Sequence, residues 1–557
     1  MAMAYGEHTR SALTQPDFEN VATAAIDAGQ NLAQLLLSTS GRLGQKIAFT
    51  NMDVGLSHAD LLRHSAHLAA YLRHGLQLQA GERVAIMMPN LLQFPIALLG
   101  VLQADLIAVL VNPMYTAREL RHQLSDSGAK ALIVVDNFGQ VAAEALDGTS
   151  VRHVITTGIG DQLGFPKSLL TNFVLRRVKK LVPPFHIAGA IRWSKALAAG
   201  AGHPVPEPQA SASDTVQLQY TGGTTGVSKG AALSHAAVMA NVAACEQWLG
   251  LSLDPARDIA LICLPLYHIA AYTNMLYAWV HGVHGVLVTN PRDIPGMVAT
   301  FKRYRPATYS GVNTLYDALL NSPEFRALDL SHLRLSIQGG TALRRATAEA
   351  WQDLTGLQVV EMYGLSETAA GITTNRWDRP NPPGSIGLPM AGVEVSVRDE
   401  SGAEVSLGEP GELCVRGLQV TSGYWNRPED TADAFFDGGW FRTGDIAKAD
   451  AEGYLYLLDR RKDMILVSGF NVFPNEIEDV VSMHPGVLEA AAIGVPDEKT
   501  GEAVKLFVVR KDPQLSADQL RQHCREQLTG YKQPRHIEFI ATLPKSPVGK
   551  ILRRELR

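Results

Sequence analysis

Residues Tyr220–Gly230 read YTGGTTGVSKG, and this run sets the reading of the whole chain. Gly222, Gly223 and Gly226 permit tight turns that bring backbone N–H groups close to a ligand. The hydroxyls of Thr221, Thr224, Thr225 and Ser228 can donate to phosphate oxygens, and Lys229 adds a positive charge. The run suits a polyphosphate such as ATP. It is not a Walker A loop: counted from Gly223, Ser228 stands where that motif has its second glycine, and Gly230 where it has its Ser or Thr.

Composition bounds the answer. A chain of 557 residues is too long for one ordinary domain, and 46% hydrophobic with 19% charged residues is normal for a globular enzyme. The formal net charge of −5 gives no global reason to expect nucleic acid. Cys245, Cys263, Cys414 and Cys524 lie far apart with no metal-ligand spacing, which predicts a reduced, cytoplasmic chain. His281 and His284 lack acids or cysteines at ligand spacing, so they read as structural and no zinc is expected. The N-terminal residues lack the apolar core of a signal peptide. The apolar stretches Phe94–Val111, with Gln103 and Asp105, and Leu264–Val288, with three histidines, read as buried core rather than spans.

The organisation is α/β. Runs such as RVAIMMP, AKALIVVD and RHVITTG alternate with Ala/Leu-rich helical stretches, which predicts helix-covered parallel sheets. Between about 393 and 458 short strands sit among Gly, Pro and Asp turns, predicting a small β-rich unit. After Arg460 a helix–strand pattern returns, enough for a small α+β domain. Lys167–Phe185 carries five basic residues, no acid, and apolar residues at roughly helical spacing. Such a stretch either lies on a membrane surface or packs its apolar face on the body of the protein.

The remaining motifs, in order, resemble the adenylate-forming superfamily of acyl-CoA synthetases, luciferases and peptide-synthetase adenylation domains. They are LPLYHIAAY (Leu264–Tyr272), QGGTAL (Gln338–Leu343), YGLSET (Tyr363–Thr368), GELCVRG (Gly411–Gly417), GWFRTGD (Gly439–Asp445), Asp459–Glu478 and PKSPVGK (Pro544–Lys550). Within the superfamily the chain is most similar to bacterial long-chain fatty-acid–CoA ligases. The resemblance implies a large domain over 1–460 that includes the β-rich unit, a small mobile domain over 461–557, and a hinge near Lys462.

It also implies ATP, Mg²⁺, coenzyme A and a fatty acid as reactants or cofactors. Carried onto this sequence, Thr221, Gly222, Gly223, Thr224, Thr225, Gly226 and Lys229 form the phosphate loop. Gly339, Gly340 and Thr341 form the adenine-contacting turn, and Tyr363 stacks on the base. Gly364, Ser366 and Thr368 belong with the nucleotide, and Glu367 is the metal-binding acid. Asp445 accepts the ribose hydroxyls, a role for which a carboxylate is suited because it takes two hydrogen bonds from a vicinal diol. Arg460 binds ribose or phosphate, Gly469 lines the pantetheine path, His268 lines the acyl or pantetheine channel, and Lys550 contacts the α-phosphate. The IAAY after His268 and the QGGTAL turn depart from the usual subgroup pattern and leave chain length open.

Rival readings are a medium-chain or aryl-acid CoA ligase, a fatty acyl-AMP ligase and, from another class, an inactive acyl or nucleotide sensor. The chain ends soon after Lys550, so no fused carrier domain is expected. The sequence leaves oligomeric state open, a homodimer included, and leaves peripheral contact with the inner face of the cytoplasmic membrane as an alternative to a purely cytoplasmic chain. Lys550→Ala is expected to abolish adenylation while largely sparing thioester formation from supplied acyl-AMP; equal loss in both half-reactions, measured separately, would count against the role given to Lys550.

Overall fold

The computed structural model describes residues 26–221, 228–249, 253–341, 343–468, 470–497, 499–546 and 551–557. The β-branched runs of the first half become two sheets whose inner strands are parallel. One has seven strands in the spatial order Ile191–Arg192, His153–Thr157, Ala131–Val135, Arg83–Met87, Ile107–Leu110, Thr215–Thr221 and Lys229–Ser234. Only the last pair is antiparallel, with Thr221 opposite Lys229. The strand Ala131–Val135 is buried at every position, as expected where helices cover both faces.

The other sheet has nine strands: Leu388–Pro389, Ala370–Thr374, Val359–Leu365, Leu335–Gly339, Thr308–Gly311, Ile259–Ile262, His284–Leu287, Ile47–Asn51 and Val54–Ser57. Its six strands from Val359–Leu365 to Ile47–Asn51 run parallel. A single apolar cluster joins the two sheets, containing Ile86, Leu110 and Ile133 of the first and Phe49, Ile262 and Leu287 of the second. Between them lie the helices Gln93–Gln103 and Ile269–His281, and Trp279 of the latter meets Phe49 edge-on at 5.6 Å.

These helices explain the two long apolar stretches. Gln93–Gln103 is buried on all sides, so its sequence is apolar all round. Asp105 ends that run at positive φ, and its carboxylate accepts from the backbone N–H of Gln209 at 2.9 Å and of Ala210 at 3.0 Å. Among the described residues no helix is long and apolar enough to cross a membrane. All four cysteines are buried and free.

The β-rich unit is a five-stranded antiparallel sheet built from Val393–Arg398, Gly411–Gly417, Phe435–Phe436, Trp440–Ala449 and Leu455–Arg460. A fourth sheet follows, with strands Ile465–Val467, Phe470–Val472, Val487–Asp497, Gly501–Arg510 and His536–Phe539. The helices Pro474–Ser482 and Ala517–Gln527 accompany it, and Ile477, Val481, Leu520 and Cys524 enter its apolar core. The α/β class with a β-rich unit and a terminal α+β unit is therefore the observed one.

The basic stretch is only partly a regular helix. Lys167–Phe173 is α-helical, Val174–Val178 is a wider π-type turn, and none of these residues is buried. Leu169, Leu170, Phe173, Val178 and Leu181 are exposed while Val174, Leu175 and Val182 are half-buried, so the apolar face packs on the protein only in part.

Candidate active site

The strands Thr308–Gly311, Leu335–Gly339 and Val359–Leu365 end side by side, and their carboxyl ends carry QGGTAL and YGLSET. Open α/β sheets bind ligands at such ends. Gly339 is forced by packing: an added Cβ would lie 2.9 Å from the Met362 carbonyl oxygen of the neighbouring strand. Gly340 has φ +82° and turns the chain away. Gln338 donates through Nε2 to Thr341, at 3.0 Å to its hydroxyl, which closes the turn.

Gly364 is equally constrained, since a Cβ there would fall 1.8 Å from the Ala370 carbonyl oxygen. The close approach follows from the irregular register between Val359–Leu365 and Ala370–Thr374 at Tyr363 and Gly364. The intervening turn, Ser366–Thr368, carries Glu367. Thr368 is fully buried, and its hydroxyl donates to the Ala370 carbonyl at 2.8 Å and accepts from the Leu365 N–H at 3.1 Å. Its side chain shapes the turn. Ala369 and Ala370 both have positive φ, 53° and 120°, a conformation costly for residues with a Cβ and common at functional turns.

Two groups of polar side chains converge here. In the first, the Tyr363 hydroxyl donates to Asp445 Oδ2 at 2.7 Å, and Arg460 Nε lies 3.6 Å from Asp445 Oδ1. Asp445 and Arg460 face each other across the antiparallel pair Trp440–Ala449 and Leu455–Arg460. Tyr363 is buried, and desolvation followed by the Asp445 charge pushes its phenol well above the ordinary value, so the proton stays on tyrosine.

In the second, the Tyr424 hydroxyl donates to Glu367 Oε1 at 2.9 Å, and Lys229 Nζ lies 5.4 Å from the centre of the Tyr424 ring. Lys229 also pairs with Asp430. The segment around Tyr424 is pinned between both parts: the Thr421 N–H donates to the Glu367 carbonyl at 2.7 Å, and the Trp425 N–H to Gly230 at 2.8 Å. The Glu367 turn thereby packs against the strands that flank the glycine-rich run.

Glu367 is the least compensated charge of the site. Desolvation raises its pKa, Asp445 raises it further, and the Tyr424 hydroxyl and Arg460 lower it. Among the described residues it has no ion-pair partner, whereas Asp445, Asp430 and Lys229 do. A partly desolvated carboxylate with only neutral donors, the Tyr424 hydroxyl and its own backbone N–H, fits a divalent cation whose other ligands would come from phosphate and water. Among the described residues no group of three or more His, Cys, Asp or Glu could hold a metal ion, so such a cation would depend on its substrate for the rest of its shell.

The structure thus brings together Thr221, Lys229, Tyr363, Ser366, Glu367, Thr368, Asp445 and Arg460. Ser228 Oγ donates back to the Thr221 carbonyl at 2.5 Å. Tyr220, which opens the run, faces the body instead and donates to Asp126 at 2.8 Å. His268 is the N-cap of Ile269–His281, accepting from the Ala270 N–H at 3.4 Å. Lys462 lies in the turn after Leu455–Arg460, and its carbonyl accepts from Arg557 at 3.3 Å. Gly222, Gly223, Thr224, Thr225, Gly226, Gly469 and Lys550 lie outside the described residues. Tyr424 and Asp430 escaped the sequence reading; the Gly-Tyr-Trp run at 423–425 was the available signal.

The family model described as AMP-binding enzyme matches residues 38–425, and that of the AMP-binding enzyme C-terminal domain matches 476–550. The chain belongs to the AMP-binding enzyme family. It is 51% identical over 532 residues to a long-chain-fatty-acid–CoA ligase of Yersinia pestis, covering 95% of this chain and 94% of that protein. Its structure resembles ATP-bound MatB from Rhodopseudomonas palustris, with a TM-score of 0.79, 29% identity, and coverage of 95% and 98% of the two chains. It also resembles the anthranilate CoA ligase AuaEII in complex with anthranoyl-AMP, with a TM-score of 0.81, 26% identity, and coverage of 95% and 96%. In this AMP-binding enzyme the Glu367 turn is the feature most open to test. Tyr424→Phe removes a hydrogen bond that favours ionised Glu367, so its pKa rises further. The acid limb of the pH–rate profile is then expected to move to higher pH at limiting Mg²⁺, and an unmoved limb would separate Glu367 from the metal-dependent step.

Proposed function

We propose that this enzyme is a long-chain fatty-acid–CoA ligase. The observation that carries the reading is the convergence of Glu367 with Lys229 on one side and Tyr363, Asp445 and Arg460 on the other. Long-chain-fatty-acid–CoA ligase is also the name carried by the half-identical relative, which specifies the acid.

The first half-reaction joins two anions. A fatty carboxylate oxygen attacks the α-phosphorus of ATP, the bond to the bridging oxygen of pyrophosphate breaks, and acyl-AMP forms. Cations and donors fixed in advance favour the charged transition state over the ground state. Lys229, held between Asp430 and the Tyr424 ring, supplies one such cation, and Lys550 another. Asp445 takes the ribose hydroxyls; the tyrosine proton occupies one of its roughly four acceptor positions, leaving room for a diol. Tyr363 and the turn Gly339–Thr341 flank the adenine. Glu367 would hold Mg²⁺, which when bound would neutralise phosphate charge.

In the second half-reaction the CoA sulfur attacks the acyl carbon and AMP leaves with the bonding electrons. The proposed division is 1–460 and 461–557, with rotation about Lys462 exchanging the face that carries Lys550 for the one that carries Gly469. Several contacts cross this boundary near the pivot. Arg553 Nη1 lies 3.3 Å from Asp459 Oδ1, and the Asn475 N–H donates to Asp459 Oδ2 at 2.9 Å. Rotation exchanges these for others, so the two orientations differ by a few contacts rather than by a core. The four free, buried cysteines support a reduced cytoplasmic compartment, with peripheral contact at the inner face of the membrane as the alternative.

Fatty-acid-dependent ATP–pyrophosphate exchange, with thioester formation on free CoA, tests the reading. Exchange without thioester indicates an acyl-AMP ligase, and neither activity indicates a sensor. Glu367→Gln is expected to slow exchange by orders of magnitude and to raise the Mg²⁺ requirement. Lys462→Pro fixes φ near −65° and restricts Arg461. It should impair thioester formation far more than exchange, and a wild-type thioester rate in this variant removes Lys462 as the pivot.

A further inference from the structure

The connection from His153–Thr157 to Ile191–Arg192, at one edge of the seven-stranded sheet, is built inside out. A surface helix ordinarily turns its apolar stripe inward. Here Asn172 and Arg176 reach to the body. Asn172 donates to Asp161 at 2.8 Å and accepts from the Gly160 N–H at 2.9 Å. Arg176 pairs with Asp136 at 2.8 Å, and Asn137 donates to the Leu181 carbonyl at 3.0 Å. Beside the segment lies an open cavity of about 250 Å³, lined in part by Ile159, Leu175 and Val182 and flanked by Phe173 and Arg177. Polar pins hold the segment, not a filled apolar seam.

Val174, Leu175, Val182 and Phe185 are half-buried, but most of the apolar side chains point to solvent. Phe165, Leu169, Leu170, Phe173, Val178 and Leu181 are each between 53% and 86% exposed. Single exposed leucines need no explanation, but a contiguous set on one short element marks an interaction surface. Charge accompanies it. Among the described residues Arg177, Lys179 and Lys180 are exposed and have no carboxylate partner, and no Asp or Glu occurs between Asp161 and Glu207.

We propose that this face docks on an anionic lipid bilayer, with the phenylalanines and leucines entering the interface and the three basic residues meeting lipid phosphates. Charge complementarity selects that partner. A second copy of the chain, docked by the same patch, would set like charges against each other across a two-fold contact. A bilayer offers apolar depth and negative charge together, the combination that interfacial helices use. The inference stands apart from the ligase reading.

Flotation of the full chain with vesicles is the test. Wild type should bind phosphatidylcholine–phosphatidylglycerol vesicles, weakly at high salt, and bind pure phosphatidylcholine far less. Replacing Arg177, Lys179 and Lys180 by Gln should weaken binding about a hundredfold, since each basic residue near such a surface contributes roughly fivefold. Leu169→Ser with Leu170→Ser and Phe173→Ser should do so at unchanged vesicle charge. All six positions are outside the core, so both variants should keep the wild-type melting profile and wild-type activity without vesicles. Equal binding to neutral vesicles, no binding by wild type, or full binding by both variants overturns the proposal. Loss of a wild-type dimer in the variants, with vesicle binding intact, assigns the face to self-association and overturns it as well.

Discussion

The Tyr363–Asp445 hydrogen bond, 2.7 Å and buried, is the contact on which the nucleotide region depends. It joins the nine-stranded sheet to the five-stranded one. A buried hydrogen bond to a charged group contributes about 1.5–3 kcal/mol, and breaking it leaves a desolvated carboxylate. Tyr363 also packs among Ile372, Leu413 and Phe441, so the same side chain is core on one side and site on the other. Asp445 and Arg460 are held across a strand pair, and Glu367 sits two residues past the end of the strand that carries Tyr363. Displacing either sheet would therefore disturb every one of these groups.

The charges around this bond are paired, with one exception. Lys229 is neutralised by Asp430 and Arg460 lies beside Asp445, so neither cation stands uncompensated in a partly dry site. Glu367 is the exception, with only neutral donors and a raised pKa. A partly buried carboxylate that lacks a cation costs stability, and a metal ion brought in with a nucleotide would relieve it. The positive φ of Ala369 and Ala370 places further strain beside the same turn.

Beyond the site, the tail around Arg553 connects both sides of the proposed pivot. Its guanidinium contacts Glu478, Asn475 and Asp459, and Arg557 reaches Asp463 at 3.1 Å. Burial raises the Asp459 carboxyl to about 6, while Arg553 pulls it down. These are polar contacts at a narrow boundary, the kind that can be exchanged without opening an apolar core.

The α/β class, the β-rich unit and the order of the motifs were legible in the sequence because they are local: period-two runs, turn residues and glycine-rich spacing act within a few residues. Glycines at 339, 340 and 364 were legible as motif positions, but the carbonyls that force two of them belong to neighbouring strands. Tertiary structure alone decided that Tyr363 bonds Asp445, 82 positions away, and that Tyr424 serves Glu367, 57 positions away. It also decided that the Lys167–Phe185 stretch turns most of its apolar side chains outward. Periodicity reveals that a face exists; only the neighbours that pin Asn172 and Arg176 determine which way it points.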